Sequence, residues 1–173
     1  MKLLILFLGV LLVVVAACRR RAAQPELTGP VSTWKISEKW SIGQGQQDGK
    51  PIFTRFNLGL QPVVRRPEFA QQLGIAVPLK NPTADGLPTR AESEELNQIE
   101  DEIQRRFLPG NESVFAGVIT TNGMREYILY TTDSQKALAK ARELAHDIQH
   151  HQVQFVIHDD PTWQYFRRFA AGA

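Results

Sequence analysis

Two apolar runs, SVFAGVITT from Ser113 and MREYILYTT from Met124, are separated only by Asn122-Gly123, and this arrangement constrains the fold more than any other feature of the chain. Asn-Gly accepts positive φ at both positions of a two-residue primed turn, so the runs predict an antiparallel hairpin. Alternation at period two sets Phe115 and Ile119 against Val114 and Val118, and Tyr127 and Leu129 against Ile128 and Tyr130. Both faces are therefore apolar. A sheet face left in water alternates to polar residues, so the hairpin belongs inside a sheet covered on both sides.

The flanking segments supply the rest of that sheet. WKISEKWSI (34–42) and IFTRFNLGL (52–60) alternate at period two and predict paired strands, with GQGQQDGK (43–50) as a flexible connection. LGIAVPLK (73–80) predicts a third strand, followed by the Pro- and Gly-bearing loop NPTADGLP. Thr89 opens a helix through a capping box in which its hydroxyl accepts from the Glu92 amide and the Glu92 carboxylate reaches back to the Thr89 amide. Leu96, Ile99, Ile103 and Phe107 form its buried stripe, Asp101 to Arg105 and Glu102 to Arg106 its outer ion pairs, and Pro109-Gly110 its end. A second helix runs from Asp133 or Ser134 to about His150, with Ala137, Ala141, Leu144 and Ile148 inward. VQFVIH (153–158) predicts the last strand, and Pro161 to Phe169 a turn or short helix. The order predicts an α+β fold: a ferredoxin-like βαββαβ layer with an N-terminal β-hairpin, and helices on one face of an antiparallel sheet. The helix-free face then needs a cover, from the hairpin's tryptophans, a second subunit or a partner.

The amino terminus places the chain at a membrane. Lys2, the apolar run from Leu3 and the tetrapeptide Val15-Ala16-Ala17-Cys18 have the layout of a bacterial export signal ending in a lipobox, which makes Cys18 the lipid attachment site. The fifteen residues from Leu3 to Ala17 rise about 22 Å as a helix, against a hydrocarbon core of ~30 Å. This favours an extracytoplasmic lipoprotein over the alternative, a single inner-membrane span stopped by Arg19, Arg20 and Arg21 with a cytoplasmic domain. The expected organisation is a signal peptide (1–17), a lipidated cysteine and tether (18–33) and one α+β domain (34–173). Four of the 20 Lys and Arg precede residue 22, leaving 16 against 18 acidic groups, so the domain carries a net −2. That balance disfavours nucleic-acid binding, which draws on a basic excess. A single cysteine excludes an intrachain disulfide.

Several blocks taken together resemble a known bacterial family: NLGL (57–60), GIAVPL (74–79), GLPT (86–89), LNQIEDEI (96–103), GVITTNGMREYILYT (117–131) and DDPTWQYF (159–166). They are similar to domain of unknown function 695 over roughly Trp34 to Phe169. The resemblance implies one α+β domain and brings no established activity, cofactor or catalytic residues.

The residues themselves offer few chemical constellations. His146 and His150 fall i,i+4 on the second helix, a metal-sharing spacing, with His151 and His158 near in sequence. No third ligand falls on that helical face, so no metal site and no cofactor is assigned. Asp159 and Asp160 are adjacent on an extended strand and point apart, which suits Asp160 as a cap with Trp163 packed on the domain. Glu92, Glu94, Glu95, Glu100, Asp101 and Glu102 make an acidic helix, read most simply as a solvated face with favourable N-terminal charge and more sharply as a docking surface for a basic partner. Arg125-Glu126 follows the tight turn among apolar strand residues; an ion pair fixing the hairpin register is the structural reading, and an anion-binding Arg125 the functional one. No nucleophile elbow, P-loop, zinc-protease or dinucleotide motif occurs. Two function classes follow: a non-enzymatic protein-interaction or regulatory module that pairs with a protein partner or a second copy through its sheet face, and a small hydrolase-like or metal-assisted enzyme. The second requires a pocket that gathers two or more of His146, His150, His158, Asp159 and Arg125.

Overall fold

A computed structural model describes residues 27–170. Its six strands are β1 (Trp40–Gln47), β2 (Lys50–Asn57), β3 (Gln71–Pro78), β4 (Ser113–Thr121), β5 (Met124–Thr131) and β6 (Gln154–Asp159), in the spatial order β1-β2-β4-β5-β3-β6. Each neighbouring pair is antiparallel, giving an open sheet. Three helices accompany it, α1 (Arg90–Phe107), α2 (Ser134–Asp147) and α3 (Gln164–Ala170), so the fold is α+β as expected.

The two faces of the sheet carry separate cores. On one, Leu96, Ile99, Ile103 and Phe107 of α1 and Ala137, Ala141 and Leu144 of α2 pack on Leu73, Ile75, Val77, Phe115, Val118, Tyr127 and Leu129. On the other, Trp163 and Phe166, with Leu27, Trp34, Leu60, Val63 and Phe69, close over Phe56, Val114, Ile119, Ile128 and Tyr130. The expectation of helices on one face alone is therefore corrected. Short α3 and the irregular segments around Trp34 and Leu60–Phe69 cover the second face from within the chain, because β4 and β5 present apolar side chains there too.

Four local expectations change. The N-terminal hairpin is displaced: pairing runs from Trp40 opposite Asn57 to Gln47 opposite Lys50, and the glycine-rich stretch is strand rather than loop. The turn is Asp48-Gly49, at φ 52° and 75°, and a two-residue primed turn sets the register from that end. At the other end the Asn57 side chain accepts from the Lys39 and Gly59 amides and stops the pairing, so Trp34 and Ile36 lie outside β1. A bulge at Ala116 shifts β4, which places Phe115 with Val118 on the α1 face and Val114 with Ile119 on the other. One extra residue reverses the alternation beyond it. The capping box is half formed: Thr89 Oγ1 accepts from the Glu92 amide at 3.2 Å, while the Glu92 carboxylate turns to the amides of Lys80 and Asn81 at the end of β3. On the outside of α1, Arg105 pairs with Glu102 rather than with Asp101. The Asn122-Gly123 turn is as expected, with φ 45° and 79°.

Among the described residues no helix is long and apolar enough to cross a membrane. Leu3 to Ala17 and Cys18 lie outside the described residues.

Candidate functional site

Strand register assembles the site. Ile42 lies opposite Arg55, and Arg55 opposite Val118; one row along, Phe53 lies opposite Thr120, and Thr120 opposite Arg125. Directly opposed residues share a sheet face. These side chains therefore stand together on the α1 side, where β1 and β2 extend past the helix. With Asn97 and Glu100 of α1 they line a recess of about 220 Å³.

The two arginines differ in how their charge is met. Arg55 pairs with Glu100, whose carboxylate also accepts from the Gln104 amide at 3.2 Å, and its guanidinium lies 4.8 Å above the Trp40 ring. Glu100 is 8% exposed, so this ion pair, which lines the recess, is partly withdrawn from water. Arg125 has neutral partners: its Nε donates to Thr120 Oγ1 at 3.0 Å and its Nη1 to Asn97 Oδ1 at 3.2 Å. Among the described residues no carboxylate forms an ion pair with it. The expected register-fixing ion pair is thus replaced by a cross-strand hydrogen bond to Thr120. Glu126, on the opposite face, accepts from the Tyr165 hydroxyl at 2.7 Å. The rim is apolar, with Ile42 79% and Phe53 36% exposed. The recess therefore offers a cation with unused donors beside exposed hydrocarbon, a combination suited to a carboxylate carried next to an apolar group.

The other sequence candidates do not join it. α2 ends at Asp147, so His150 stands beyond the helix and the i,i+4 relation with His146 is lost. The Ile148 amide makes the last helical bond, to the Leu144 carbonyl, and the chain turns extended there with ψ 94°. His158 and Asp159 lie on edge strand β6, where Asp159 accepts from the Gln71 amide at 3.1 Å. Asp160 is a cap, accepting from the Gln164 and Tyr165 amides and from the Tyr130 hydroxyl at 2.7 Å, and Trp163 is fully buried. The acidic face of α1 is largely paired, and Glu92 and Glu100 are buried rather than solvated: Glu92 binds the Lys80 and Asn81 amides beyond β3, Glu94 pairs with Arg90, Glu95 with Lys80 and His151, Glu100 with Arg55, and Glu102 with Arg105 and Arg106. Of the five residues an enzymatic pocket was expected to gather, Arg125 alone lines this recess.

Sequence reasoning missed Arg55, Asn97 and Thr120, and read Glu100 as part of a solvated face. Asn97 and Glu100 are i,i+3 beside the buried stripe, which marks them as flanking one helical face. Arg55 sits two residues from Phe53 on a strand. Nothing local connects those two signals, since strand pairing alone brings them together.

A search of curated proteins found no match for this chain. A family model described as a family of unknown function, domain of unknown function 695, matches residues 38–170, which holds the whole sheet, all three helices and the recess. The chain belongs to the domain of unknown function 695 family.

Proposed function

We propose that this protein is a non-enzymatic interaction module, held at a membrane through lipidated Cys18, whose Arg125 recess receives a carboxylate-bearing segment of a partner protein. The observation that carries the reading is the Arg125 guanidinium, held by neutral Thr120 and Asn97 beside exposed Ile42 and Phe53. A carboxylate there would complete a charge-assisted pair, and the rim would bury hydrocarbon of the same segment. α3 and the Leu60–Phe69 segment pack on the second sheet face, which favours the β1–β2 hairpin with exposed Ile42 and Phe53 as the contact surface. The order of β3, α1, β4, β5, α2 and β6, with β5 between β3 and β4, supports reading that part as a ferredoxin-like layer extended by the hairpin.

The test is site-specific photo-crosslinking from position 42 in intact membranes. A discrete adduct with a second protein, lost in Arg125→Gln while the melting temperature holds, is the expected result. Only self-adducts, or an adduct indifferent to Arg125→Gln, would exclude the recess as the contact. Membrane fractionation and mass spectrometry of Cys18→Ala against wild type test the anchor separately: the variant should lose both the acyl mass and membrane retention.

A further inference from the structure

On the other flank of α1, at the loop leading into β6, we propose a binding site for a divalent transition-metal ion formed by Glu95, His150 and His151. Each offers one ligand atom, and these atoms lie within 4.8 Å of one another. The His151 side chain is wholly buried, with Nε2 2.9 Å from Glu95 Oε2, and its Nδ1 is buried without a hydrogen-bond partner. The His150 ring stands edge-on to it, centroids 5.3 Å apart, and is open to solvent.

Two imidazoles and one carboxylate are the donor set preferred by zinc and its neighbours, and three protein ligands leave a coordination position for water. At ~2.1 Å from a metal, tetrahedral ligand atoms lie about 3.4 Å apart, so closure requires movements on the order of 1 Å. His150 and Glu95 are the accessible members and can make them, while buried His151 supplies the fixed point. A histidine buried for packing ordinarily satisfies its polar atoms. His151 instead spends its one contact on a carboxylate oxygen already held by Lys80 Nζ at 2.5 Å. Lys80 is the group a metal would displace, and its half-exposed side chain can leave to solvent. The two halves of the site come from α1 and from the segment after α2, so a bound ion would cross-link them.

This site is independent of the Arg125 recess and needs no activity assay. Titration calorimetry of the untagged full-length chain in detergent with zinc chloride should show one ion per chain at micromolar affinity. His150→Ala and Glu95→Gln should each weaken it at least tenfold. His146→Ala, one helix end away, should leave it unchanged. Zinc should also raise the melting temperature of wild type and not of His150→Ala, whose metal-free melting temperature should equal that of wild type. Absence of heat at millimolar zinc, binding that persists in either His150→Ala or Glu95→Gln, or binding weakened equally by His146→Ala would overturn the site.

Discussion

Against α1 and α2 the sheet packs mostly aliphatic side chains, and two helices of 18 and 14 residues supply regular stripes to meet them. Against α3 the same sheet turns Phe56 and Tyr130 toward Trp34, Phe69, Trp163 and Phe166, which are held by a seven-residue helix and irregular chain. A short helix and loops cannot satisfy their backbone polar groups internally, and side chains do so instead. The Trp163 indole donates to the Phe69 carbonyl at 2.8 Å, the Trp34 indole to the Gly29 carbonyl at 3.2 Å, and the Arg66 guanidinium to the Leu27 carbonyl at 2.9 Å. One face is stabilised by periodicity and the other by aromatic anchors that also act as hydrogen-bond donors.

The sharpest way to break this comparison is alkaline titration, because the chain's three tyrosines sample both faces. Tyr127 lies on the α1 face and donates to the Leu96 carbonyl at 2.6 Å; Tyr130 and Tyr165 lie on the α3 face and donate to Asp160 and Glu126. Burial first, then neighbouring carboxylates for Tyr130 and Tyr165, raises each phenol above its ordinary value. The folded state keeps these protons while the unfolded chain releases them near pH 10, so stability is unaffected below ~10 and falls as pH rises beyond it. Phenolate absorbance should remain flat through pH 10 and then appear in one step with complete unfolding. Appearance of two tyrosines before the third would show that the α3 face opens alone.

Trp163→Ala should cost ~3–5 kcal/mol in chemical denaturation, as much as truncating a residue in the α1 core. The ring is fully buried and stacks on Tyr130 at 3.7 Å. A loss below about 1 kcal/mol would mean the α3 face adds little to the cooperative unit. Asp160→Ala should cost ~1–3 kcal/mol, since it strips the Tyr130 hydroxyl and two α3 amides of their acceptor. The smallest effect belongs to the α1 face. Glu112 pairs with Lys136 and Lys140, hydrogen bonds that lower its pKa despite partial desolvation. Its contribution is present above the ordinary glutamate range and is lost as pH falls below ~4.3 through its lowered folded value. Glu112→Gln should flatten the acid side of the stability curve slightly, and added salt should reproduce much of that change in wild type.

Legibility followed the same division. The α1 stripe, the Thr89 cap and the Asn122-Gly123 turn could be read from neighbours within a few residues, and all are present. The bulge at Ala116 could not, because an extra strand residue leaves no mark in composition and shows only when a partner strand fixes the register. Likewise Arg125 was visible as an unexplained charge, but Arg55, Asn97 and Glu100 joined it only through pairing of β2 with β4 and the docking of α1. The metal-like histidine also changed identity: His146 lost its place when α2 ended early, and the third ligand came from α1.

By itself the sequence determined the α+β class, the helix faces and the family, since each depends on local periodicity or on an ordered set of motifs. The tertiary structure alone decided which strand lies beside which, what covers the second sheet face and which charges meet. Those outcomes depend on contacts between residues far apart in the chain, and such contacts are set by the packing of whole elements.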